Sequence, residues 1–221
     1  MMNDKAYYFE KLYPLQDRVL VVLRRLETGF YLTGGTATSR LYLAHRFSDD
    51  LDFFVNDQPH FMLWADRFVQ ALVQQPDWSC QVVNRDDRFM RLFLIVEDVS
   101  LKIEMINDVP AHVGEIQDHP VLGRVDSAEN ILANKVTAIL GRDEAKDLAD
   151  IWGFCCQKGL SLSIALDDAQ SKAAGVFAPD LARALIRVTV ADWEVIRWIT
   201  PPLAEQFVHD LHKLAESLVI L

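Results

Sequence analysis

With 221 residues, 51% of them hydrophobic, the chain is long enough to bury its own core without staples, as one large domain or two small ones. Its 32 acidic against 22 basic residues give a net charge of −10. That excludes a molecule gripping nucleic acid with its whole surface, because such a grip comes from neutralising phosphates, and a nucleic-acid partner would have to meet a local basic patch.

The longest apolar runs, such as residues 92–96, fall far short of the ~20 residues of a membrane helix. Residues 1–10 carry acids among their aromatics, so no standard signal peptide is expected. Three cysteines, with Cys155 and Cys156 adjacent, spell no disulfide framework. The expected setting is cytoplasmic, without membrane contact.

Residues 5–28 place Leu12, Leu15, Val19, Val22, Leu23 and Leu26 at helical spacing, with Pro14 near the start and Gly29 as the stop. Phe30, Tyr31 and Leu32 read as a short buried strand, and Gly34-Gly35 as a sharp turn. Thr36 is placed to cap a second helix running to about His45. From Asp50 to Val55 the residues alternate: Asp50, Asp52 and Phe54 share one strand face, and Leu51, Phe53 and Val55 the other. Residues 61–75 form an amphipathic helix stopped by Pro76.

Residues 88–96 and 100–106 read as a hairpin joined at Glu97-Asp98-Val99, with Lys102, Glu104 and Ile106 on one face of its second strand. From Asp126 the pattern turns helical. Asp126 and Glu129 have capping-box spacing, and the helix runs to Leu140 with Gly141 as its stop. A second helix starts near Asp143 and ends before Gly159, and further starts fall near Pro179, Asp192 and Pro201-Pro202. The expectation is an α+β fold: an α/β catalytic domain over residues 1–122, then a helical domain over 123–221 completing the cleft.

The chemistry concentrates in two stretches. Gly34-Gly35 has no Cβ to keep backbone amides away from phosphate oxygens. Thr36 adds a hydroxyl at a helix start, where free N–H groups favour anions. Asp50 and Asp52, two apart on a strand, project side by side as hard oxygen ligands suited to Mg2+ or Mn2+. Glu104, mid-strand in an apolar setting, is the best third carboxylate. Each part alone has a bland reading: a common turn, a solvated strand end, an exposed strand residue. Their order and spacing together point to transfer from a nucleoside triphosphate, where the protein positions phosphates and neutralises charge.

The run Tyr31-Leu32-Thr33-Gly34-Gly35-Thr36 through Arg46-Phe47-Ser48-Asp49-Asp50-Leu51-Asp52-Phe53-Phe54 resembles the nucleotidyltransferase superfamily. More narrowly, it resembles the AbiEii/AbiGii toxin-like family of bacterial nucleotidyltransferases. The second signature of that family is a lysine on one helix and a Lys-Asp pair on the next. Here these are Lys135 and Lys146-Asp147, after Gly141-Arg142-Asp143. The resemblance covers residues 28–56 and 130–152, and nothing after Gly159 matches. It departs in its third acid, a glutamate where aspartate is commoner.

The resemblance implies a nucleotidyltransferase-fold mixed sheet with flanking helices. It also implies a toxin-like enzyme with an antitoxin protein partner, and in some members transfer onto tRNA ends. By the same resemblance, Arg46, Ser48 and Lys146 join Gly34, Gly35 and Thr36 around the nucleotide, and Lys135 and Asp147 join Asp50, Asp52 and Glu104 in catalysis. Against that, Arg46 also reads as a surface arginine, Lys135 as a lysine snorkelling along a helix face, and Asp147 as a helix-surface acid. Arg85, Arg88 and Arg91 form the local basic group best placed for an RNA acceptor, and they read equally as a solvated face.

Three alternatives stand beside this reading. One is a small-molecule, antibiotic-type nucleotidyltransferase. Another is a non-catalytic nucleotide- or partner-binding module of the same fold, against which the intact Asp50/Asp52 pair speaks. The last is a glycosyltransferase, which expects a longer α/β domain than the 49 residues preceding Asp50.

Overall fold

A computed structural model describes residues 4–142 and 144–219; Asp143, the expected start of the second helix in the helical half, lies outside the described residues. The chain forms two compact units. The first is drawn from Met1–Ala37, Ser48–Pro110 and Glu115–Asp126, the second from Thr38–Phe47, Ala111–Gly114 and Ser127–Leu221.

The first unit opens with α1 (Asp4–Tyr7) and α2 (Tyr13–Arg24), joined by a π-helical turn at Tyr8–Leu12. Pro14 has no N–H to return to the preceding turn, and such a break in the hydrogen-bond ladder accompanies the widening. Next come β1 (Tyr31–Thr33), α3 (Gly34–Ala37), β2 (Leu51–Asn56) and α4 (Phe61–Val73). Five strands complete the unit: β3 (Ser79–Asp86), β4 (Phe89–Val96), β5 (Val99–Asp108), β6 (Gln117–His119) and β7 (Gly123–Val125). They form one mixed sheet in the order β3-β4-β5-β2-β1-β7-β6. In it β2 runs parallel to β5 and antiparallel to β1.

One face of this sheet is the core. Leu51, Phe53, Leu92, Leu94, Leu101, Ile103 and Met105 are buried there. The Phe53 ring meets Phe68 of α4 edge-on at 5.5 Å between centroids, so the apolar stripe of α4 covers the apolar period of β2. The alternate residues Asp52, Phe54, Arg91, Lys102 and Glu104 are half-buried on the other face.

Three local expectations change. The sharp turn falls at Gly34, whose φ is +65°, but α3 opens directly on it, so Thr36 lies inside that helix rather than at its cap. Strand β3 is absent from the sequence reading because nearly all its side chains are exposed and show no alternation; as the sheet edge, it is held by backbone pairing with β4. The capping side chain of the first long helix is Ser127, whose Oγ accepts from Asn130 N at 3.0 Å. Asp126 is instead buried and accepts from the Thr33 hydroxyl at 2.5 Å.

The second unit is helical: α5 (Ala128–Gly141), α6 (Ala145–Trp152), α7 (Leu162–Lys172), α8 (Ala178–Ile186), α9 (Val190–Glu194) and α10 (Ala204–Ser217). Helix α5 packs on α6, α7 and α8, and α10 packs on α6, α8 and α9. The π-helical turns Thr38–Leu43 and Gly153–Gln157 also meet, where a Cβ on Gly153 would strike Leu43. No described helix is long and apolar enough to cross a membrane. Cys80, Cys155 and Cys156 are free thiols.

Candidate active site

Strand β1 delivers the chain to Gly34 at φ +65°, and a Cβ there would run into the Asp52 carboxylate. Glycine is therefore required twice, by the left-handed backbone and by the space above Asp52. The loop leading into β2 is fastened from below. Thr36 donates its hydroxyl to the Asp50 carbonyl and lies 3.1 Å from Ser48 Oγ. Gln16 donates to the Asp49 carbonyl at 3.1 Å, and Ser48 N donates to the Tyr13 hydroxyl at 3.3 Å. Tyr8 bonds the Asp49 carboxylate. Thr36 and Ser48, expected around a nucleotide, thus shape the loop that aims Asp50.

Asp52 on β2 is the register partner of Glu104 on β5, and the two carboxyl groups are within hydrogen-bonding reach. Lys102, two residues before Glu104, places its ammonium 2.9 Å from Asp50 Oδ2 and 3.5 Å from Glu104 Oε2. Arg91 Nε donates to Glu104 Oε1 at 2.5 Å. Burial pushes the Glu104 carboxyl up, but the charges of Lys102 and Arg91 outweigh it and hold the group below its ordinary range. Burial likewise pushes Lys102 down, and Asp50, Glu104 and Asp52 reverse that into a raised value. Among the described residues no three acid, histidine or cysteine side chains stand at metal-ligand spacing. The hard-oxygen set nevertheless fits Mg2+ or Mn2+ in chemistry, with the Lys102 ammonium as the stand-in cation among the three acids.

The residues of the second signature build a separate cluster within the second unit. Asp150 of α6 is wholly buried and takes a bidentate pair from Arg46, at 2.7 Å for both Nε and Nη2. Lys135 of α5 stands 2.6 Å from Asp150 and 2.7 Å from Asp147. Arg142 Nε reaches Asp147 at 2.8 Å, and Lys146 pairs at the surface with Glu144 at 2.7 Å. Desolvation works against both carboxylates, yet Arg46 and Lys135 hold Asp150 well below its ordinary value, and Lys135 and Arg142 lower Asp147. His45 Nε2 lies 3.0 Å from Asp150, while its buried Nδ1 has no partner among the described residues. The neutral ring with its proton on Nε2 satisfies both facts. Asp150 and His45 escaped the sequence reading. The signal was the i, i+3 spacing of Asp147 and Asp150, which puts both acids on one helix face.

The hairpin arginines do not form one group, which corrects the expected basic cluster. Arg85 pairs in register with buried Met90 and binds Asp66 of α4 at 2.8 Å, on the core side of the sheet. Arg88 sits at the turn and binds Asp57 at 3.1 Å. Arg91 is on the open face. Strand alternation separates residues 85 and 91 across the sheet once they pair through the turn.

This architecture is that of a nucleotidyltransferase fold. It is similar along 99% of the chain to JHP933 from Helicobacter pylori, covering 93% of that protein at 20% identity with a TM-score of 0.64. It is similar, again along 99% of the chain, to MenT4, a nucleotidyltransferase toxin from Mycobacterium tuberculosis, covering 86% of it at 16% identity and a TM-score of 0.63. Among curated proteins none matches the sequence. Residues 18–155, more than half of the chain, match the family described as nucleotidyl transferase AbiEii toxin, type IV toxin–antitoxin system, and the chain belongs to that family.

Proposed function

We propose that this protein transfers a nucleoside monophosphate from a nucleoside triphosphate to an acceptor hydroxyl, releasing pyrophosphate, as a toxin countered by an antitoxin. The observation that carries the reading is the Lys102 ammonium shared by Asp50 and Glu104, with Asp52 beside Glu104 in register and against Gly34. Mg2+ or Mn2+ bound by these three acids would neutralise the triphosphate and polarise it. The backbone at Gly34 and Gly35 approaches the phosphates where no Cβ intervenes. The acceptor oxygen forms its bond to the α-phosphorus as the bond from that phosphorus to the pyrophosphate oxygen breaks. The acceptor proton passes to the Asp52–Glu104 pair. Lys135 and Asp147 are assigned a positioning role, since both charges are already met inside their cluster. The half-exposed Lys146 is the member of that group with a surface ammonium to offer a phosphate.

The family resemblance makes RNA, tRNA in particular, the first acceptor to test. The test supplies labelled nucleoside triphosphates with divalent ion to total RNA, total protein and a metabolite extract in parallel. Label in RNA, lost in Asp50→Asn, supports the full reading. Label only in metabolites or protein removes the RNA acceptor and keeps the transferase. No label in any fraction with either metal overturns the reading.

A further inference from the structure

The open face of the sheet keeps a built-in cation among its acids. Asp50 Oδ2 and Glu104 Oε2 both face the Lys102 ammonium, at 2.9 and 3.5 Å. Asp52 stands beside Glu104 in register. Three carboxylates so close repel one another unless a positive charge sits between them. A divalent ion drawn to the same oxygens would take ligand distances of roughly 2.0–2.6 Å at the place where the ammonium now sits. The ammonium and the metal compete for these acids. Lys102 hangs on a flexible four-carbon stem that is partly exposed, at 27%, so it is free to leave without moving the strand.

We propose that Lys102 is a placeholder cation: it neutralises Asp50 and Glu104 while the site waits, yields to the divalent ion, and is received by the triphosphate that arrives with the metal. The inference rests on the nucleotidyltransferase reading. It makes the bare protein a poor holder of metal, and it couples metal entry to nucleotide entry, because a displaced ammonium needs a new anion.

The experiment measures Mn2+ alone, by the paramagnetic signal of the free ion, against wild type, Lys102→Met and Lys102→Arg. In Lys102→Met the affinity for Mn2+ rises about tenfold, because a competitor is gone. Its affinity for a non-hydrolysable triphosphate falls, and its metal-free form melts lower and recovers with Mn2+. Lys102→Arg keeps the weak metal binding of wild type. Equal or weaker Mn2+ binding by Lys102→Met overturns the proposal. Should that variant fail to fold, acylation of Lys102 in wild type decides: it speeds up at Mn2+ concentrations high enough to fill the site, and an unchanged rate at those concentrations overturns the proposal. Labelled nucleotide transfer by wild type, run alongside, separates the two ideas. Metal-dependent transfer with unchanged Mn2+ affinity in Lys102→Met leaves the enzyme reading standing and removes the placeholder.

Discussion

Asp52 and Glu104 are register partners across the parallel β2–β5 pair, so two carboxyl groups stand side by side on the open face of the sheet. Glu104→Gln removes one negative charge without changing shape. Turnover should fall by about 10^2–10^3-fold, the scale of losing one preorganised electrostatic group. Label transfer under saturating nucleotide checks it, with a melting curve showing the fold unchanged.

Gly34→Ala should fail in two ways at once. The new Cβ meets the Asp52 carboxylate, and φ +65° is strained for any side chain. The backbone term alone costs about 1–2 kcal/mol. Urea unfolding should show at least that loss, and Mn2+ binding should weaken further because Asp52 is displaced. Unchanged stability would remove the close approach.

Asp150→Asn should be the most costly single change in the helical unit. It leaves Arg46 and Lys135 facing a neutral group in a buried site, a loss of about 3–5 kcal/mol. Lys146→Ala, which breaks a surface pair with Glu144, should stay within about 0.5 kcal/mol. Urea titrations of both variants make the comparison.

His45 gives the stability a distinct pH dependence. Burial outweighs the pull of Asp150 and holds the ring below its ordinary 6.5. Above that value the ring is neutral folded and unfolded, and contributes nothing to the slope. Below it the unfolded chain takes up a proton that the folded one refuses, so stability falls by up to about 1.4 kcal/mol per pH unit until the folded ring also protonates. His45→Gln, which can still donate to Asp150, should flatten that part of the curve in unfolding measured from pH 5 to 7.5.

The opposed placement of Arg85 and Arg91 separates two outcomes for RNA. If RNA lies on the open face, Arg91→Glu should weaken its binding and lower the salt slope by about 0.7. Arg85→Glu, on the α4 side, should leave both unchanged. Filter binding at several salt concentrations decides, and equal effects of the two would place RNA elsewhere.

The sheet and its helices were legible wherever one face is buried and the other wet. Leu51, Phe53 and Val55 alternate with Asp52, Phe54 and Asn56, and that period alone orients β2. It failed at β3, whose exposed residues have no face to report, and at β6 and β7, three residues each. Glu104 could be picked out because an acid in an apolar strand is conspicuous. The cation beside it was also in view at position 102, but which acids a long side chain reaches depends on strand register, which one sequence does not state. Asp150 was hidden by distance in sequence: its partner Arg46 lies 104 positions away.

That last separation constrains how the protein can be rearranged. Residues 38–47, which carry Arg46, belong to the helical unit although both flanking segments belong to the other. A cut after Asp126 would part Arg46 from Asp150 and leave the helical fragment with a buried acid short of its main counter-charge. The two units are thus not interchangeable cassettes. Recombination at that junction, or expression as split halves, should yield an insoluble helical piece unless the loop bearing Arg46 is grafted back.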